Sequence, residues 1–181
     1  MVAEEMVAVV DATGAVLRAE RRSVVRRENL LHAATAVLVR NAAGAVYVHR
    51  RSDLKDWAPG QHDACAGGVI QYGEEPDPCA LREIEEELGI TGTTLRPLGT
   101  SLFEDDTTRC LEHVYEVTWD GLVVYQDAEV VWGTWMALPA LAERLADPAW
   151  PFVPDTRQLL ARLAADGVHD YGRLLTGSSR R

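Results

Sequence analysis

Lysine is almost missing from this chain. Lys55 is the single lysine among 18 basic side chains, which face 28 acidic ones for a formal net charge of −10. The preference for arginine fits a GC-rich coding sequence as well as any function. A negative field of that size argues against non-specific binding to nucleic acid or to an anionic membrane. A small anionic substrate stays compatible with it wherever metal ions or clustered arginines invert the local charge. Cysteine is scarce too. Cys65, Cys79 and Cys110 are odd in number and show neither CxxC nor zinc spacing, so they read as buried small hydrophobes in a reducing compartment. No apolar run is long enough to span a bilayer, and Glu4 and Glu5 precede only a short apolar stretch, unlike a signal segment. These absences point to the cytoplasm. Repeats and domain-separating linkers are also missing. What is present, 47% hydrophobic and 25% charged residues over 181 positions, suits one globular domain whose core needs neither disulfides nor a structural metal.

The patterning predicts both strands and helices. Residues 6–10 and 15–17 flank an Asp11–Gly14 turn and read as strand, turn, strand; residues 21–29 follow as a short helix or charged connector. The β-rich runs 35–39 and 45–49 surround Asn41-Ala42-Ala43-Gly44 and predict a hairpin. Residues 53–63, with Pro59-Gly60, are loop-like. A helix fits 78–88, with Asp77 to cap it, Pro78 in its first turn and Gly89 to end it. Strands are expected over 95–103, 112–119 and 130–136, and amphipathic helices over 139–146 and 155–165. The polar tail from Thr176 is expected to fray.

The chemistry concentrates in the helix predicted at 78–88. At about 100° per residue, Glu83, Glu86 and Glu87 share one face, while Leu81, Ile84 and Leu88 lie on another and can dock on a sheet. Carboxylates spaced i, i+3 and i+4 repel one another, and a hard divalent cation such as Mg²⁺ or Mn²⁺ reverses that sign. Arg82, one turn before Glu86, is placed to orient a neighbouring carboxylate. An isolated acidic run is ordinarily a solvated face. Here, however, Gly68, Glu74, Gly89 and the aliphatic residues Ile84 and Ile90 stand at fixed offsets around it.

The segment GVIQYGEEPDPCALREIEEELGI, residues 68–90, resembles the Nudix signature, G-x5-E-x7-R-E-U-x-E-E-x-G-U with U aliphatic, at every specified position. The resemblance implies the Nudix fold, an α/β architecture with a mixed sheet sandwiched between helices. Here it would comprise an N-terminal β-hairpin extension (1–30), the domain (31–175) and a flexible tail (176–181). It also implies hydrolysis of a diphosphate-containing substrate with Mg²⁺ or Mn²⁺. Glu86 and Glu87 would be metal ligands together with the Gly68 carbonyl. Glu83 would be a ligand or the general base, and Glu74 and Arg82 a supporting pair. Glu112, in the following strand, matches an acidic metal ligand of many members.

Beyond the signature, Leu31-His32-Ala33, His49-Arg50-Arg51 and Trp57-x-Pro59-Gly60 resemble isopentenyl-diphosphate isomerase and, more, the bacterial Nudix hydrolases related to it. That likeness implies phosphate binding by Arg51 and Lys55. Isomerase chemistry is disfavoured because Ala66 and Gly68 stand where the enzyme needs cysteine and histidine. Cys65 lies one residue off and should face the opposite way. His32 matches an isomerase metal ligand whose partner position here is Val25. Three readings therefore stand: hydrolase, isoprenoid-diphosphate isomerase, and non-catalytic nucleotide sensor, with hydrolysis favoured by the complete glutamate set. The 104–106 acidic run reads as a solvated loop. Trp57, Tyr72 and Phe103 read as packing elements or base-stacking platforms. His62 and Asp63 read as turn or site residues, and His49, His113 and His169 carry no assignment. The expected partner is a small-molecule diphosphate, with no nucleic acid and no membrane, and a homodimer is plausible.

Overall fold

The structure, a computed structural model, describes residues 4–126 and 128–175. Strands Met6–Val10 (β1) and Val16–Arg21 (β2) form an antiparallel hairpin. Its turn is held by Asp11, whose carboxylate accepts from the Thr13 and Ala15 amides at 2.8 and 3.1 Å. Helix Arg22–Glu28 (α1) follows, resolving the choice between helix and connector, and Asn29 ends it in the left-handed conformation. Next come the strands His32–Arg40 (β3), Val46–Arg51 (β4), His62–Asp63 (β5) and Cys65–Ala66 (β6). Helix Pro76–Leu88 (α2) precedes Arg96–Glu104 (β7), Arg109–Thr118 (β8) and Val130–Met136 (β9). Helices Leu138–Ala146 (α3) and Pro154–Ala165 (α4) and a 3₁₀ turn at Tyr171–Leu174 complete the chain. The tail expected to fray, 176–181, lies outside the described residues. No helix among the described residues is long and apolar enough to cross a membrane.

β3 is the axis of the fold. It is buried at every position because both of its faces are covered. Ala36 and Leu38 pack with Leu141, Leu159, Leu160 and Leu163 of α3 and α4, while Val37 and Val39 pack with Ala80, Ile84 and Leu88 of α2. The result is the expected α/β arrangement, a curled mixed sheet between helices. β8 pairs with β3 in parallel over its full length, from His32↔Cys110 to Arg40↔Thr118, and β7 adds antiparallel to β8. The N-terminal hairpin joins through Val9↔His32 and a bridge from Val7 to Gln71.

Three expectations need correction. The runs predicted as a hairpin around Asn41–Gly44 pair as β3 and β4 only at Arg40↔Val46 and then diverge. β4 is drawn to β9 along its whole length, and β3 to β8 and β6, so long-range pairing overrides the local hairpin. The signature helix begins at Pro76 rather than Pro78, with Glu75 at its N-cap and no side-chain cap. Asp77 therefore lies inside the first turn, where it accepts from the Tyr115 hydroxyl at 2.6 Å instead of capping. Pro76 supplies the helical φ without a lost donor. Gly89 ends the helix at φ 67°, as expected. Leu81, expected on the docking face, is 40% exposed, and Ala80 takes its place under the sheet.

Candidate active site

The C-terminal half of α2, the Cys65–Gly68 segment, the 52–60 loop and α1 surround a cavity of about 360 Å³ whose walls are mainly polar. Gly67 and Gly68 let the backbone come close. A Cβ on Gly67 would lie 2.1 Å from the Thr35 carbonyl oxygen, and one on Gly68 would lie 2.6 Å from the Glu83 carboxylate. At Gly68 any side chain would have to push the Glu83 carboxylate aside. The Gly68 carbonyl accepts from the Thr35 amide at 2.9 Å, which leaves a second lone pair for another partner.

Arg82 organises the glutamates. Its guanidinium forks onto Glu74 with two contacts of 3.1 Å, and Nη1 donates to Glu83 at 2.6 Å and to Glu86 at 3.1 Å. The fork outweighs burial at Glu74 and holds its pKa below the ordinary value, while bonding to Glu74 raises that of Arg82. Glu87 sits on the boundary between the acidic and apolar faces of α2 and is only 2% exposed. It accepts from Lys55 Nζ at 3.0 Å and from the Gly67 amide at 3.3 Å. Burial nonetheless pushes its pKa to about 7 against the pull of Lys55, and burial also raises Glu83 against Arg82. Lys55 pairs with Glu129 as well. Both acids keep its pKa high despite burial.

Glu83, Glu86, Glu87 and Glu112 all line the cavity. The α2 glutamates do not, however, converge to ligating distance. Among the described residues, the three acidic or sulfur groups whose ligand atoms lie within 4.8 Å of one another are Cys110, Glu112 and Asp155. Mutual repulsion spreads the α2 carboxylates onto Arg82 and Lys55, the cations within reach. Glu112 is buried with one carboxylate oxygen unpartnered, and burial with the nearby Asp155 and Asp63 lifts its pKa well above the ordinary value. Burial and Asp63 push Asp155 up to about 7. The carboxylates that line the cavity, one with an orphaned oxygen and several costly to ionise as they stand, fit a hard divalent cation, whereas the Cys110 sulfur is a soft donor.

Arg51 and Lys55 reach the cavity but are engaged by protein groups. Arg51 lies 3.7 Å from Asp63, donates to the Trp57 carbonyl at 3.1 Å and stacks over the Trp57 ring. Trp57 lines the cavity, whereas Phe103 is buried with Ala34 and Cys110, and Tyr72 faces solvent. Asp63 accepts from the Thr156 hydroxyl at 2.7 Å, and His62 stacks on Trp150 away from the glutamates. In the acidic run, Glu104 pairs with Arg109, and Asp105 accepts from the Thr107 and Thr108 amides, as a surface turn requires. His32 is buried with its ring nitrogen 3.0 Å from the Leu30 carbonyl, and burial lowers its pKa to about 4. Cys65 and Ala66 pack into opposite clusters, as the one-residue offset predicts. Asp155, Arg22 and Arg26 were not anticipated at the cavity. The i, i+4 spacing of the two arginines on a short helix was the visible signal; Asp155 carried none beyond its place at a helix start.

A model of the NUDIX domain matches residues 30–160 of the chain. The chain belongs to the Nudix family. Its Nudix hydrolase relatives include an uncharacterized one from Rhodococcus erythropolis, 43% identical over 169 residues that cover 88% of this chain and 91% of the relative. The crystal structure of a Deinococcus radiodurans protein superposes with a TM-score of 0.75 at 26% identity, over 87% of this chain and 98% of that one. The Nudix domain of Shewanella oneidensis NrtR, complexed with ADP ribose, shares the fold at a TM-score of 0.59 and 18% identity, over 74% of this chain and 86% of that one. The protein is accordingly a Nudix hydrolase, an enzyme acting on phosphorus anhydrides, and Nudix hydrolases generally use divalent metal ions. The likeness to the isomerase is not supported by any of these matches.

Proposed function

We propose that this Nudix hydrolase cleaves a nucleoside diphosphate, free or linked to another moiety, by attack of water on phosphorus with Mg²⁺ or Mn²⁺ bound. The observation that carries the reading is a single cavity lined by Glu83, Glu86, Glu87 and Glu112 together with Arg51 and Lys55. Glu86, Glu87, Glu112 and the free lone pair of the Gly68 carbonyl would hold the metal, and Glu83 would be a further ligand or the general base. The metal would neutralise diphosphate oxygens and lower the pKa of a bound water. The chain's own groups do the rest. Arg82, anchored by Glu74, keeps Glu83 and Glu86 aimed into the cavity. Glu83, partly buried and reluctant to stay charged, suits the acceptance of a proton from the attacking water. Arg51 and Lys55 would receive phosphate oxygens, and the anhydride oxygen would depart with the leaving phosphate. Positioning and charge neutralisation supply most of the rate in such transfers. ADP ribose, bound by the NrtR Nudix domain, is one compound of this class.

Isomerisation of an isoprenoid diphosphate is the weaker reading. Cys65 lines the cavity but packs with the α3–α4 core, and burial pushes its thiol well above the ordinary range. A non-catalytic nucleotide sensor would have no need of a self-repelling glutamate set. The reading extends to a domain over 31–175 with 1–30 packed on it as an extension, and to a cytoplasmic setting in which three free cysteines stay reduced. The reading also takes a homodimer as its assembly, and excludes nucleic acid and membrane as partners on the negative net charge and the lack of a long apolar run. The test is incubation with Mg²⁺ or Mn²⁺ and a panel of nucleoside di- and triphosphates, dinucleotides, nucleotide sugars and isopentenyl diphosphate. Release of a monophosphate or phosphate is the expected result. Double-bond migration without phosphate release, or binding without turnover, would refute the proposal in favour of the other readings.

A further inference from the structure

The signature accounts for the acidic wall of the cavity and leaves part of the basic wall unexplained. α1 sends two arginines to that wall, Arg22 and Arg26, one helical turn apart. Like charges at i, i+4 destabilise a helix unless something between them compensates. Here the compensation is Asp56 of the 52–60 loop. Its Oδ2 lies 3.3 Å from Arg22 Nη2 and 3.4 Å from Arg26 Nε. One anionic oxygen shared by two guanidiniums is the environment that an arginine pair offers to a phosphate oxygen.

The pair is not fully satisfied by Asp56. Arg22 also holds Glu5 at 2.8 Å. Arg26 instead donates to the neutral Thr108 hydroxyl at 3.1 Å, and its buried Nε makes no hydrogen bond among the described residues. Burial, helped by Arg22 and Arg51, lowers the pKa of Arg26 in spite of Asp56, which marks a cation short of negative charge. Asp56, in contrast, is 45% exposed at its side chain, in a loop whose Leu54 stands out in solvent. It can leave without opening the core.

We propose that Arg22 and Arg26 form an anion subsite for the substrate phosphate remote from the cleaved bond, and that Asp56 stands in for that phosphate until substrate displaces it. The subsite rests on the diphosphate-hydrolase reading for its ligand. It also makes the N-terminal segment part of substrate selection, so that doubly phosphorylated ligands are preferred over monophosphates.

The competing view is a structural staple in which Asp56 merely ties the loop to α1. The two views differ in sign for Asp56→Asn, which removes the competitor but also the staple. The probe is inorganic pyrophosphate, titrated calorimetrically into the full-length protein with Mg²⁺ present, alongside KM and kcat for the best substrate of the panel. Asp56→Asn should bind pyrophosphate about fivefold to tenfold more tightly, and Arg26→Gln and Arg22→Gln about tenfold or more weakly, with KM following and kcat nearly constant. Arg26→Lys should recover part of the loss. Circular dichroism confirms that each variant is folded. Weaker or unchanged binding by folded Asp56→Asn, unchanged binding by both glutamine variants, or no pyrophosphate binding by the wild type overturns the subsite. Turnover without these effects leaves the hydrolase reading standing alone; the pyrophosphate-binding effects without turnover leave the subsite and remove the hydrolase reading.

Discussion

Replacing Glu87 by Gln should make the metal-free protein more stable and the enzyme nearly inactive. The carboxyl is almost fully buried, and its pKa rises from the ordinary 4.5 to about 7 even with Lys55 beside it. A raised carboxyl pKa means that folding favours the neutral form. The associated stability is fully present below the unfolded value of 4.5 and is lost as pH rises through about 7. At about 1.4 kcal/mol for each tenfold change in proton affinity, keeping Glu87 ionised near pH 8 costs about 3 kcal/mol. Glutamine is neutral, nearly the same shape, and still accepts from Lys55, so the variant avoids that cost. Urea unfolding in EDTA near pH 8 should show a gain of up to about 3 kcal/mol, shrinking below about 1 kcal/mol near pH 5, where the native wild-type carboxyl is already protonated. In Mg²⁺ the order should reverse, because the wild type gains ligand-binding stability that the variant largely lacks. Turnover should drop by about two orders of magnitude or more. The reasoning fails if Glu87→Gln is less stable than wild type in EDTA near pH 8, if its gain does not depend on pH, or if it hydrolyses substrate as well as wild type.

Two further substitutions probe different links. Gly68→Ala places a Cβ 2.6 Å from the Glu83 carboxylate; we expect turnover to fall about tenfold to a hundredfold with stability changed by about 1 kcal/mol, and a wild-type rate would mean that the position of Glu83 is not critical. His49 is 1% exposed with both ring nitrogens unpartnered, and burial lowers its pKa from 6.5 to about 4. Its contribution is present above pH 6.5 and is lost as pH falls toward 4, amounting to about 2 kcal/mol between neutral pH and about pH 5. His49→Leu should flatten that part of the unfolding curve, and an unchanged acid dependence in urea titrations would place the lability elsewhere.

Local information was enough for part of the molecule. Helix period and spacing set α2 and the common side of Glu83, Glu86 and Glu87, and Gly89 marked its end. The arginine before Glu83 was legible as an orienting group because i, i+4 neighbours meet on any helix. Strand β9 was bounded correctly by β-branched and aromatic residues flanked by polar ones. The rest depends on partners far apart in the chain. β3 and β4 read as a hairpin, yet each found a longer ladder with β8 or β9, and cross-strand hydrogen bonds outweigh a turn preference. Glu87 read as one of three ligand carboxylates on a common face; packing of Ile84 against the sheet carried it inside, where Lys55, 32 residues earlier, is its counter-charge. Asp155 joins Glu112 only because α4 docks on β3 and β8, and Asp56 meets Arg22 and Arg26 only because a loop folds over α1. Periodicity carries a side chain to a face of its own element; which charge waits opposite is a property of the folded chain, because Coulomb and desolvation energies depend on distance and burial that no local pattern encodes.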